Sequence, residues 1–289
     1  MKRYHWDIYA ILEAPQELYF GHEVEINVNR VETVTLEGPE GKVVKPYFSP
    51  TKRRGVERRT LLWAPHRDGK TLGEHLECGI PGTCARMEPE DGKPACPICR
   101  VFGALRPGEK TVIGRLTHGG GVAIQTLEPQ EKQRAMHPSD LARSGSEQEN
   151  PTPFRREYNQ PGLYYPVYNH ALSVSEEEFA AAAYAFLNAL PRVGAGNPKG
   201  ARILSDEEFG PYLVLDRYLV PKGARPIISP HQTTIEPALA GFRQAAQQVR
   251  GASVENGRAE DPYFTRWVGE AASAELERLA QQFADAYLV

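Results

Sequence analysis

All four cysteines of the chain, Cys78, Cys84, Cys96 and Cys99, fall within 22 residues, spaced C-x5-C-x11-C-x2-C, with Gly79, Gly82, Gly92 and four prolines among them. In a C-x2-C pair both thiolates and the neighbouring backbone N–H groups can face one ion. A second pair about a dozen residues earlier can complete the tetrahedron that structural zinc requires. The spacing therefore predicts one zinc ion held by Cys78, Cys84, Cys96 and Cys99, with His75 as an alternative ligand. The competing reading, two disulfides, needs an oxidising compartment. The first 15 residues, MKRYHWDIYAILEAP, hold only a five-residue apolar run, too short for a signal peptide or a membrane helix. A cytoplasmic protein that does not meet a membrane is the expectation, and there a cysteine cluster favours metal.

The chain has 289 residues, 40% of them hydrophobic, enough for one large domain or a domain with sizeable insertions. Its net charge of −3 excludes a surface that is basic all over, but the charge is uneven. Residues 42–70 carry nine Lys and Arg against two acidic residues, whereas 232–289 carry five against eight. Such an island is either a solvated basic face or a groove for an anion. Five of the nine are arginine, whose planar fork suits phosphate, which favours the groove.

Residues 4–12 alternate Tyr4, Trp6, Ile8, Ala10, Leu12 with His5, Asp7, Tyr9, Ile11, the period of a central strand. Strand-like residues continue at 24–28 and 31–36 and end at Gly38, Pro39 and Gly41. A short basic helix with a buried side is expected from Thr51, its N-terminal N–H groups suited to hold phosphates. Residues 128–161, with five prolines, show no apolar period and read as a long functional loop. After a strand at 163–171, Ser175 and Glu178 form a capping box for a helix whose stripe is Phe179, Ala183, Phe186, Leu187 and Leu190. The loop RVGAGNPKGAR follows, fitting no nucleotide-binding glycine motif, and then a strand at 212–220. Two helices are expected at 236–249 and 262–288, the second with Phe264, Trp267, Val268, Leu276, Leu279 and Phe283 on its packing face.

The first strand followed by EAPQELYFG, the segment PYFSPTKRRGVERR, cysteines ending in CPICRVFG, the polar insertion and the glycine-rich basic loop resemble the CRISPR-associated RAMP superfamily. Within it the chain is most similar to the backbone subunits that coat guide RNA in Cascade-type effector complexes, those of type I-D above all. The resemblance covers most of residues 3–225. It implies an α+β fold with a ferredoxin-like, RRM-like core over residues 1–231, carrying a zinc-binding segment at 72–103 and a thumb hairpin at 128–161. The C-terminal helices, 232–289, would pack on that core. It further implies RNA contacts by Lys52, Arg53, Arg54, Arg58, Arg59, Arg100, Arg192, Lys199 and Arg202. The implied partners are guide RNA, further copies of the chain, other effector subunits, and target DNA or RNA met through the guide.

The rival readings are enzymatic. His75-Leu76-Glu77 ahead of Cys96 and Cys99 partly matches the zinc deaminase pattern, with Ala95 where a proline belongs. A RAMP-type RNA endonuclease, processing guides or cutting targets, is the closer rival. Its candidate histidines, His5, His22, His118 and His170, sit in no motif. Residues 14–50 contain no aspartate; Glu37 and, in the thumb, Asp140 are the remaining carboxylate candidates for target cleavage. The expectation is a protein that binds RNA without cutting it and has no catalytic residues. A purely structural zinc protein is the third alternative.

Overall fold

The computed structural model describes residues 2–20, 23–25, 28–38, 41–79, 84, 95–108, 110–126, 128–134, 154–195 and 199–289. Its main elements, in chain order, are β1 (Tyr4–Ala14), α1 (Pro50–Leu62), β2 (Leu116–Gly120), β3 (Leu163–Val174), α2 (Glu176–Ala189) and β4 (Leu213–Tyr218). The tail adds α3 (Ile235–Gln247), β5 (Arg258–Asp261), β6 (Phe264–Val268) and α4 (Glu270–Tyr287).

The alternation of β1 is apolar on both faces, and the strand lies in the middle of an antiparallel sheet of order β5-β6-β4-β1-β3-β2, with Arg202–Ile203 paired to its far end. Trp6, Ile8, Ala10 and Leu12 point into a core closed by α1, α2 and α4. Tyr9 and Ile11 point to the opposite face, against Leu239 and Phe242 of α3. Helix α1 links β1 to β2 with β3 lying between those strands, and α2 links β3 to β4 with β1 between them. The fold is thus a mixed α+β architecture with helices on both faces of one antiparallel sheet.

Helix α2 starts as its sequence requires: the Ser175 side chain accepts from the Glu178 N–H while Glu178 reaches back to the Ser175 N–H. Its face of Ala180 to Ala183 is buried, and such small side chains let a helix backbone approach its neighbours closely. Trp6 stacks on Phe179 at 4.4 Å and on Trp267 at 6.1 Å, tying β1 to α2 and β6.

The tail departs from the expected pair of helices. Residues 264–268 form a strand, every one buried, paired with both β4 and β5. Arg266 supplies the reason: its guanidinium holds Asp216 of β4 with two bonds of 2.7 Å. It also donates to the carbonyls of Ala245 and Gln248 at the end of α3 and to that of Ala224. Buried charge is stable only when so paired, and the strand conformation is the one observed to deliver it. Gly269, at φ +60°, then turns the chain into α4. Residues 232–289 therefore extend the central sheet as well as adding helices.

The expected loop at 128–161 is a strand pair at its base, Gln130–Arg134 antiparallel to Phe154–Tyr158. Phe154–Tyr158 also runs parallel to Val28–Arg30. The stretch between, 135–153, lies outside the described residues, and Asp140 with it. Among the described residues no helix is long and apolar enough to cross a membrane.

Candidate nucleic-acid groove and metal centre

Two segments far apart in sequence, the start of α1 and the glycine-rich loop, meet at one groove of about 680 Å³. Phe20, Tyr47 and Phe48 form its aromatic wall, α1 presents Thr51, Lys52, Gly55 and Arg59, and Gly194 and Ala195 close the far side. Phe20 and Phe48 stack at 4.3 Å with Tyr165 edge-on to both, which fixes the wall. Burial raises the Tyr47 hydroxyl pKa, with Glu32 adding to it, so the phenol stays neutral at physiological pH.

Pro50 at the first position of α1 has no N–H to satisfy, and no side chain caps the first turn. The positive end of the helix dipole consequently opens at the groove. Gly55 lets the Arg59 side chain fold back: a Cβ there would lie 3.3 Å from its Nη1. Lys52 Nζ donates to the Phe20 carbonyl and to Glu32, each at 2.5 Å, so this cation is half-buried and partly neutralised. The strand pair 130–134 and 154–158 is tied beside the groove by reciprocal backbone bonds between Leu18 and Asn159 and by Arg156 over the Tyr19 ring at 4.4 Å.

The nine expected RNA contacts divide by exposure. Arg54, Arg59, Arg192, Lys199 and Arg202 are exposed, and Lys52, Arg58 and Arg100 are half-buried. Arg54 reaches the Phe102 carbonyl and Arg192 the Asn188 carbonyl; Arg202 pairs with Glu13 at 2.8 Å and Arg100 with Glu178 at 3.2 Å. Arg53 is different. It is 2% exposed and donates to Asn169 Oδ1 at 2.9 Å, the Gly119 carbonyl at 2.8 Å and the Tyr168 carbonyl at 3.2 Å. Its neighbour Glu57, also buried, lies 2.7 Å from His118 Nε2. Arg53 and Glu57 thus pin α1 to β2 and β3 from inside, and the basic count of the segment overstates the charge that faces outward.

The four cysteines are free, buried, and gathered so that every sulfur lies within 4.8 Å of the others, Cys78 and Cys99 at 3.7 Å. Metal–sulfur bonds of about 2.3 Å in a tetrahedron separate the sulfurs by about 3.8 Å, so the cluster fits one metal ion. Cys96 opens the short helix Pro97–Phe102, and its carbonyl accepts from the Arg100 N–H at 3.0 Å. The surrounding sulfurs, and then burial, push the Cys96 thiol far up, so a cation is what would keep all four ionised together. Residues 85–94 of the segment lie outside the described residues. His75 gathers with His66 and Asp68, not with the four sulfurs, and stacks on His66 at 3.7 Å. The deaminase-like ligand set is therefore not assembled.

Of the candidate nuclease groups, His22 lies outside the described residues, and Glu37 is exposed on a hairpin, 3.7 Å from Lys42. His170 does acquire a partner: its Nδ1 lies 2.8 Å from Asp7 Oδ1, and Asp7 Oδ2 accepts from the hydroxyls of Tyr9 and Tyr218.

No protein-family model matches the sequence, and no curated protein does. Among solved structures there are similarities at low identity. The chain is similar to Csc2 of Thermofilum pendens, with 14% identity and a TM-score of 0.42 over 97% of this chain and 77% of that one. It is also similar to a chain of a type IV-B CRISPR complex, with 15% identity and a TM-score of 0.40 over 78% and 96%.

Sequence reasoning missed the aromatic wall and the Asp7–His170 pair. PYFSP contained the signal for the first, since Tyr47 and Phe48 stand directly before the basic helix, Phe48 buried as the brace of the wall and Tyr47 half-buried. The second has no sequence signal, because Asp7 and His170 meet only through the register of β1 with β3.

Proposed function

We propose that the protein binds single-stranded RNA along this groove as the guide-coating backbone subunit of a CRISPR effector complex, without cutting it. The observation that carries the reading is the convergence of the α1 start, an aromatic wall and the glycine-rich loop on one side of the sheet. Helix N–H groups and cations hold phosphate, and Tyr47, half-buried beside the buried Phe20 and Phe48, can stack on any base; neither reads sequence, which suits a subunit that must accept many guides. The strand order β4-β1-β3-β2 with its two interleaved crossovers agrees with a ferredoxin-like core. The thumb base at the groove rim agrees with an arm that reaches a neighbouring copy. Zinc is the metal assigned to the cysteines, in a closed site with a structural role. Further copies of the chain, other effector subunits and a target paired to the guide are the partners assigned.

The test is binding of mixed-sequence single-stranded RNA across a salt series. Each phosphate contact on a single strand contributes about 0.7 to the slope of log affinity against log salt. Replacing Arg59, Arg192 and Lys199 with Ala should flatten that slope by about 2. An unchanged slope refutes the groove, and purification free of RNA of uniform length counts against the assembly.

The Asp7–His170 pair favours a second reading, a metal-independent RNA endonuclease. Nδ1–H donation to Asp7 would leave Nε2 of a half-exposed His170 free to act as general base. Cleavage of RNA without divalent metal, lost in His170→Ala, selects this reading; intact RNA removes it.

A further inference from the structure

The turn between α1 and the cysteine segment brings together a second set of metal-ligating side chains: the ligand atoms of His66, Asp68 and His75 lie within 4.8 Å of one another. His66 Nδ1 is 2.8 Å from one oxygen of Asp68, and His75 Nδ1 is 3.2 Å from the other. We propose that these three residues form a metal site separate from the cysteines, taking one divalent transition cation and leaving an outward coordination position open.

The site is built by backbone, so it is in place before any ion arrives. The His66 N–H donates to the Lys70 carbonyl at 2.9 Å and the Gly69 N–H to the His66 carbonyl at 3.0 Å, with Gly69 at φ +77° completing the turn that presents Asp68. Thr71 and Glu74 form a capping box on the short helix Leu72–His75, which sets His75 one turn beyond the cap. The imidazole of His66 is 5% exposed and packs flat on that of His75. Bonds of about 2 Å from nitrogen or oxygen to a metal separate ligands by about 3–4 Å, so the cluster closes on an ion with small side-chain rotations.

The donor set defines the ion. Two imidazoles and one carboxylate suit zinc, nickel, cobalt, copper or ferrous iron rather than magnesium or calcium. They supply three ligands, and a third or more of Asp68 and His75 is exposed, so the remaining positions face solvent. The four buried cysteines form the opposite kind of site, closed and complete. Because α1 is 13 residues long, about 20 Å separates its start from its end beside His66, and Arg59, the groove residue nearest that end, folds its guanidinium back over Gly55. The second ion should accordingly be dispensable for RNA binding.

Full-length protein is saturated with zinc, desalted, and its metal counted by mass spectrometry, in parallel with Asp68→Asn, His75→Ala and Cys99→Ser. Wild type should hold two equivalents and the first two variants one, with unchanged melting of the Asp68→Asn protein before metal is added and unchanged RNA affinity. Cobalt added to Cys99→Ser should still give ligand-field bands, part of which is lost when Asp68→Asn is added. Equal metal in wild type and both turn variants refutes the proposal, as do cobalt bands in Cys99→Ser that adding Asp68→Asn leaves unchanged. Failure of the cysteine centre alone would leave the Asp68-dependent equivalent in place, so the two assignments are separately measurable.

Discussion

Arg53→Met should unfold the protein more readily while leaving RNA recognition in the groove intact. The guanidinium has 2% exposure and donates to Asn169, Gly119 and Tyr168, with the buried Glu57 carboxylate 3.8 Å away. Met fills a similar volume but has no donors, so three acceptors and a carboxylate lose a partner in the interior. Removing one member of a buried charged pair costs about 3–5 kcal/mol. For a chain of this size that corresponds to a fall in melting temperature on the order of 10 °C. Arg53→Met/Glu57→Gln should recover part of the loss, because the stranded charge is then absent. Calorimetry and urea unfolding give the stability, and the salt slope of RNA binding at a temperature where the variant is folded gives the recognition. A variant that melts within about 2 °C of wild type but binds RNA with a flatter slope would show that Arg53 contacts phosphate and would refute the structural role assigned to it.

Cys99→Ser should lose one metal equivalent and weaken the packing of helix Pro97–Phe102 against the core, since metal affinity at such sites is folding free energy; metal counting and protease sensitivity read the two effects. Gly121→Ala should be destabilised by at least about 1–3 kcal/mol from backbone strain, because Gly121 sits at φ +96° and a Cβ would lie 2.0 Å from the Phe48 carbonyl oxygen. RNA affinity should fall with it, as Phe48 is part of the groove wall; wild-type melting would contradict the geometry. Lys45 is buried, donating to the carbonyls of Pro230 and Gln232, and burial lowers its pKa from 10.5 to about 8. Between those two values the unfolded chain binds more protons than the folded one, so this group makes stability rise with pH from about 8 upward and contributes no slope below it. Urea midpoints measured from about pH 7 to 10 should therefore rise less steeply in Lys45→Met than in wild type.

What the sequence by itself determined is local. The cysteine spacing and the Ser175–Glu178 capping box each involve residues close along the chain, and the structure assembles both. The alternation of β1 likewise announced a central strand, since apolar residues on both faces can be satisfied only between two layers. Tertiary structure decided everything that needed a distant partner. Phe264, Trp267 and Val268 recur at helical spacing and read as the packing face of a helix, yet they lie on a strand because β4 offers a strand edge and the Asp216 carboxylate that holds Arg266. The basic segment announced its charge but not its direction: on α1, Arg53 turns into the core while Arg59 turns to the groove, because one faces Asn169 and the other lies over Gly55. The arginine content favoured a groove for an anion, but not which distant elements would close it. Tyr47 and Phe48 adjoin the helix start in sequence, but the loop that faces them lies well over a hundred residues further on and becomes their neighbour only when β1, β3 and α2 have packed, and no local pattern encodes a distance between elements whose contact is set by the packing of the core.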